Sequence, residues 1–259
     1  MSKPVKISFV CPTYKRPKLQ TRLADSIFNN AKYPENVEIV YGIDNDDVVA
    51  LDTYEILREK YGADRIKVHL IEPGENLPNI SNLCAIHVAT GEIIGNIADD
   101  VEIESKNWDV TVIEEFSKFD DGILLLWSDD GLWGGNLASH YFIHRNWVNV
   151  LGHVQPTHFH ADWTDHWNQK LAQKVGRARP ILDRNRLFLH HKHAEFNGME
   201  KDATYWHVKA KREKNVTEGL KFNGADIPQR LLELHDIEYE KLRKFIWQFA
   251  NNKKGQNNE

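Results

Sequence analysis

The sequence predicts an α/β fold: a mostly parallel central sheet with helices on both faces. Three observations carry this. Strand and helix signals alternate through the first hundred residues in the order β-α-β-α-β-α-β, the pattern of parallel strands joined by crossover helices. The segments are punctuated by residues that stop them, Pro12 after the first strand and Gly62 and Gly91 after two helices. Three of the four strand ends then carry polar or acidic residues, at 13–16, 44–47 and 99–100, where ligands bind in open parallel sheets.

Residues 5–11 (VKISFVC) are β-rich and read as a buried strand. Residues 19–31 place Leu23, Ile27 and Ala31 at helical spacing. A strand at 38–43 runs into Asp44-Asn45-Asp46-Asp47, and a helix at 51–61 comes after it. Next come a strand at 66–71, a helix at 79–90, and a strand at 92–97 that delivers Asp99 and Asp100 to its end. The second half is less regular. Strands are expected at 123–127, 138–143 and 186–193, and helices at 161–175 and 228–249. Residues 251–259 are polar and expected to be disordered.

The chain has 259 residues, 41% of them hydrophobic and 27% charged, enough to bury a full core. Its longest apolar run, near 122–127, is far too short to cross a bilayer. Met1–Lys6 leads straight into a strand rather than reading as a signal peptide, and Cys11 and Cys84 lie in segments that read as buried. A reducing, cytoplasmic location is expected. The net charge of −5 argues against a broad phosphate-binding surface. Local basic runs at 170–179 and 209–214 read as solvated helix or as a small basic face. Nine of the 13 histidines fall between His140 and His193, and six of the eight tryptophans between Trp108 and Trp167. The middle of the chain is therefore where chemistry is to be sought.

Asp99 and Asp100 after an apolar strand form a hard oxygen site suited to Mg²⁺ or Mn²⁺, although two aspartates also suit a solvated turn. His191 and His193, two apart on a strand, share a face and suit a divalent metal, although the segment also reads as a solvated basic strand. Asp162 and Asp165 open a helix, where an aspartate commonly caps; the functional alternative is a general base walled by Trp163 and Trp167. Gly134-Gly135 lacks the lysine and spacing of a phosphate loop. There is no Gly-x-Ser-x-Gly elbow, and two distant cysteines give no zinc pattern.

These residues together resemble a known family. Residues 7–17 (ISFVCPTYKRP) resemble the opening of the nucleotide-sugar glycosyltransferases of GT-A fold, in the large inverting family of phage and bacterial type. There a strand leads into Pro-Thr-Tyr-Asn-Arg. The segment Gly42-Ile43-Asp44 is similar to the second strand end, whose aspartate contacts the nucleotide base. Asn79 and Asn82 lie where the family has a helix reading Arg-Asn-x-Gly, and residues 90–102 resemble the strand bearing its Asp-x-Asp motif. Residues 105–116 also resemble the family's segment just beyond that motif, and the match covers about 5–116 well.

The resemblance implies one domain over 1–250: a nucleotide-sugar half at 1–116, an acceptor half at 117–225 and a C-terminal helix at 226–250. It implies a nucleoside-diphosphate sugar donor, a UDP-sugar in first place, contacted by Pro12, Thr13, Tyr14, Arg16, Asp44, Asn79, Asn82 and Asp99. Mn²⁺ or Mg²⁺ is implied on Asp100 with a late histidine, His191 or His193, because Ala98 replaces the first aspartate of the motif. Asp162 is the first choice for the base and Asp165 the second. The acceptor is then a hydroxylated molecule: a glycan, a small molecule or a modified DNA base. The competing expectations are an inactive sugar-nucleotide or glycan-binding module, which Ala98 favours, and a metal-dependent nucleotidyltransferase, whose Gly-rich, Lys-containing loop is missing.

Overall fold

A computed structural model describes residues 4–193, 201–222 and 227–256. The front half winds as expected. Strands β1 (Ile7–Thr13), β2 (Val37–Asp44), β3 (Ile66–Ile71) and β4 (Ile93–Asn96) are parallel, with helices α1 (Pro17–Asn30), α2 (Val48–Tyr61) and α3 (Leu77–His87) between them. After β4 the chain makes a short strand β5 (Val101–Ile103) and helix α4 (Trp108–Phe116), then β6 (Leu125–Ser128), β7 (Tyr141–His144), α5 (Arg145–Leu151), α6 (Thr164–Lys174) and β8 (Ala178–Ile181). Strand β9 (Leu189–His191) and helices α7 (Ala203–Thr217) and α8 (Gln229–Gln256) complete it. The seven-stranded sheet has the order β3-β2-β1-β4-β7-β6-β8, with only β7 antiparallel to its neighbours. Strands β5 and β9 form a separate antiparallel pair.

Side-chain alternation divides the core into two layers. Phe9, Ile39, Tyr41 and Phe142 point to the face covered by α1, α2 and α4, where they meet Leu23, Ile27, Leu57 and Trp108. Val10, Val40, Tyr141 and Ile143 point to the other face and meet Cys84, Trp147, Trp167 and Leu231. Each such buried side chain contributes about 1.5–3 kcal/mol relative to exposure, so this two-sided burial is what sets the sheet. Gly42 lets α3 lie directly on β2: a Cβ there would come 2.2 Å from Ile80 Cγ2.

Helix starts reflect local chemistry. Pro17 opens α1, where its missing N–H costs nothing. Asp47 caps α2, its Oδ1 accepting from the Ala50 N–H at 3.1 Å, while Oδ2 accepts the Lys15 N–H at 2.6 Å.

Several expectations are corrected. Residues 251–256 are not a disordered tail but the last turns of α8, and Lys253 pairs with Asp120; residues 257–259 lie outside those described. A packed helix propagates through a polar run because each added residue fixes little entropy per hydrogen bond. Of the strand expected at 186–193 only Leu189–His191 forms, and that expected at 138–143 begins at Tyr141. The basic run at 209–214 lies within α7.

Glu38, fully buried on β2, joins the strand to its surroundings. It accepts from Ser8 Oγ and the Thr90 N–H, both at 2.6 Å, and pairs with Lys6 at 2.5 Å and Lys67 at 2.9 Å. Burial alone would raise its pKa, but these donors outweigh burial and hold it at about 2, against an ordinary 4.5. The folded-state value lies below the unfolded one. Its stabilisation is therefore complete above about pH 4.5 and is lost as the pH falls toward 2, about 3 kcal/mol at most. Glu38→Gln should flatten that acid-side slope in urea unfolding measured between pH 7 and pH 3; an unchanged slope would refute the assignment.

Candidate active site

A cleft of about 490 Å³ opens at the carboxyl ends of β1, β2 and β4, within the usual size of a ligand site. It lies where the strand order reverses, since β1 continues to β2 on one side and pairs with β4 on the other. Pro12, Thr13, Tyr14 and Arg16 line it from the end of β1, Asp44 from the end of β2, and Ala98, Asp99 and Asp100 from beyond β4.

Asp100 and His191 are brought together by the β5–β9 pair. Val101 lies opposite His191 in the ladder, and the Lys192 N–H donates to the Asp100 carbonyl at 2.8 Å. His191 Nε2 lies 3.4 Å from Asp100 Oδ1. A third donor, His140, was not foreseen. Asn96 pairs with Tyr141 in the antiparallel β4–β7 ladder, so the residue before Tyr141 falls at the end of β4 beside the carboxylate. Asp100, His140 and His191 each offer a ligand atom within 4.8 Å of the others. His193 lies outside this group: its ring stands 5.1 Å from that of His191 and lines the cleft.

The three residues fit a divalent cation. Nδ1 of His140 is buried and has no hydrogen-bond partner among the described residues. Burial, helped by His191, pushes the His140 pKa down to about 3, so its imidazole is neutral and keeps a lone pair. Burial pushes Asp100 the other way, but His191, His140 and Arg16 outweigh it and hold the carboxyl well below its usual range. One carboxylate oxygen with two imidazole nitrogens is a donor set that a borderline first-row ion accepts more readily than Mg²⁺.

The remaining sequence-derived residues divide. Asp99 is buried; its oxygens accept from Thr13 Oγ1 at 2.7 Å and Arg16 Nη1 at 3.1 Å, and burial raises its pKa. It is engaged by Thr13 and Arg16 and lies outside the Asp100–His140–His191 group. Arg16 is firmly charged and gripped by Asp202, Nε and Nη2 donating to its two oxygens at 2.7 and 2.8 Å. Asn79 is half-buried and off the cleft wall. Asn82 is also off the wall, and its side chain is used structurally. It accepts from the Val154 and Gln155 N–H groups at 2.7 and 3.0 Å and donates to the Gln155 carbonyl at 2.8 Å. Gln155, so held, reaches the cleft and donates to Asn96 Oδ1 at 2.6 Å.

Asp162 and Asp165 both line the cleft around the start of α6. Arg212 Nε donates to Asp162 Oδ1 at 3.0 Å, and burial raises the Asp162 pKa against that pull. Asp165 Oδ1 accepts from the His166 N–H at 2.7 Å and lies 3.0 Å from its ring Nδ1; its charge reaches His140. Of the two tryptophans expected as walls, Trp163 lines the cleft. Trp167 does not. It is 0% exposed and donates from Nε1 to Glu238 Oε2 at 2.7 Å, a core residue.

Helix α7 runs along the cleft as a strap that sequence patterning did not reveal. Asp202 at its cap holds Arg16, Thr204 Oγ1 donates to the Tyr14 carbonyl, Lys211 to the Glu75 carbonyl, and Arg212 to Asp162. Tyr205, Val208 and Lys211 complete the wall, and burial lowers the Lys211 pKa against the pull of Asp44 and Glu75.

No protein-family model matches the chain, and no curated protein matches it in sequence. Solved structures do match it. The chain has the GT-A fold. It is similar to a mannosyltransferase of Pyrobaculum calidifontis described in complex with GDP-Man and Mn²⁺, at a TM-score of 0.56 and 14% identity over 94% of this chain and 70% of that one. Staphylococcus aureus TarS 1–349 in complex with UDP-GlcNAc is similar at a TM-score of 0.57 and 14% identity, over 93% of this chain and 71% of that one. GalNAc-T7 with UDP, GalNAc and Mn²⁺ is similar at 0.56 and 14%, over 72% of this chain and 43% of that one.

If the triad holds a cation, Mn²⁺ should raise the melting temperature by several degrees through binding to the folded state alone. Asp100→Ala and His140→Ala should each abolish that rise, and His193→Ala should leave it. A rise that survives Asp100→Ala would exclude the triad.

Proposed function

We propose that the protein is a metal-dependent glycosyltransferase that moves a sugar from a nucleoside diphosphate to an acceptor hydroxyl, with inversion at the anomeric carbon. The observation that carries this reading is the Asp100–His140–His191 group, its first two members buried and the third half-buried, set in a cleft that also presents Tyr14 and Asp44 at the strand ends. The similar structures, which hold GDP-Man, UDP-GlcNAc or UDP, two of them with Mn²⁺, support it by fold.

On this reading Tyr14 offers a face for the nucleotide base and Asp44 accepts from a base N–H. Asp100, His140 and His191 would hold Mn²⁺. When bound, the cation acts as a Lewis acid toward charge developing on the departing diphosphate. Asp99 and Arg16 act through position: the Thr13–Asp99–Arg16 contacts fix the backbone that aims Asp100.

The proton of the acceptor hydroxyl goes to a carboxylate at the start of α6. We assign that role to Asp165 in preference to Asp162. Arg212, a permanent cation, pairs with Asp162 at 3.0 Å, whereas the partner of Asp165 is the imidazole of His166 at 3.0 Å. The acceptor oxygen forms its bond to the anomeric carbon as the bond to the diphosphate oxygen breaks, and that electron pair leaves with the nucleoside diphosphate. Uridine and guanosine diphosphate sugars are the donors to test first. Among the described residues no helix is long and apolar enough to cross a membrane.

With Mn²⁺ and such a donor panel, the wild-type protein should release nucleoside diphosphate; no release from any donor would leave only a binding module. Asp165→Asn should lower transfer about 10²- to 10⁴-fold, the usual worth of a general base, while the donor-induced rise in melting temperature persists. Asp162→Asn should cost less. The reverse ranking would move the base to Asp162.

A further inference from the structure

We propose that the acceptor is a carbohydrate, seated in an aromatic subsite that carries Trp133 and Trp163. This rests on the glycosyltransferase reading and names the acceptor that reading leaves open. Trp133 lines the cleft and yet is 45% exposed. An indole at a cleft wall, apolar on its faces and polar at its N–H, is a surface that an amphipathic ligand can cover.

The loop bearing Trp133 is built to hold it there. Buried Asp130 accepts from the Leu132 and Trp133 N–H groups at 2.9 and 2.7 Å through Oδ1, and from Ser139 Oγ at 2.6 Å through Oδ2. The indole N–H of Trp127 donates to the Gly135 carbonyl at 3.1 Å and pins the far side.

Trp163 presents a second indole at the same cleft, from the residue that precedes α6. Its φ is +76°, in the left-handed region that bulky side chains rarely occupy. Such strain persists only where the surroundings impose it, and it collects at functional sites. The ring packs edge-on to His166 at 5.2 Å, beside Asp165.

The chemistry of this wall selects the ligand. Indole faces carry negative charge density and take the weakly positive C–H face of a sugar ring, while adjacent carboxylates and hydroxyls bond its alcohols. Asp162, Asp165 and Ser139 supply those polar groups. Asp162 is neutralised by Arg212, so Asp165 and the net charge of −5 are what repel a phosphodiester. A neutral polyol therefore fits better than a nucleic acid, and its hydroxyl proton passes to Asp165.

The test uses the full chain with Mn²⁺, the best donor and a panel of p-nitrophenyl glycosides, with a hydroxymethylpyrimidine oligonucleotide alongside. Transfer to at least one glycoside is expected. Trp133→Ala should raise its KM about tenfold or more, Trp133→Phe should recover part of the loss, and the donor-induced rise in melting temperature should persist in both. Transfer to the oligonucleotide alone, or a glycoside KM unmoved by Trp133→Ala, would overturn the carbohydrate assignment while leaving the glycosyltransferase reading intact. A wild-type protein that neither binds nor cleaves any donor would overturn both.

Discussion

The three-residue ladder between β5 and β9 is the constraint on which the rest of the site depends. It sets Val101 against His191 and, through the bond from the Lys192 N–H to the Asp100 carbonyl, fixes the late histidine beside the early carboxylate. A second bond, from the His191 N–H to the Asp130 carbonyl, ties the same residue to the loop that carries Trp133. One short strand thus serves both sides of the cleft. Backbone bonds are suited to this because their geometry leaves little freedom in register, and a one-residue slip would turn the imidazole to the opposite face.

Charge around the cleft is balanced with similar economy. Arg16 makes three hydrogen bonds to two carboxylates, Asp99 on the strand side and Asp202 at the cap of α7. Asp99 is thereby kept in a buried position that its pKa resists, and α7 is attached to the end of β1. Among the described residues α7 is further joined to the cleft by Thr204, Lys211 and Arg212. The wall of the site and the body of the fold are consequently joined by polar contacts.

Much of the front half was legible because its signals are local. Strand-length apolar runs and glycine stops mark β1 to β4 within a few residues, and the acidic ends of those strands point to Asp44, Asp99 and Asp100. What could not be read depends on pairing. Strand β5 is three residues long, too short to show periodicity, so the partner that positions His191 was invisible. His140 sits just before a strand whose antiparallel register with β4 no local pattern encodes. Asn82 and Trp167 were located correctly on helices but face inward, to a loop and to the core, because helical spacing gives a face and not its neighbours. The basic run of α7 has the composition of a solvated helix, and only the fold lays it along the cleft.

Residues 100, 140 and 191 meet only when three remote stretches of the chain are in place, the last of them far toward the C-terminus. During synthesis the first half of the sheet can form well before the Asp100–His140–His191 group exists. On the proposed reading cation affinity would then be acquired in one late step, when β9 pairs with β5, with α7 and α8 still to follow. A fragment that stops short of β9 would keep most of the parallel strands and lack one of the three residues of this group.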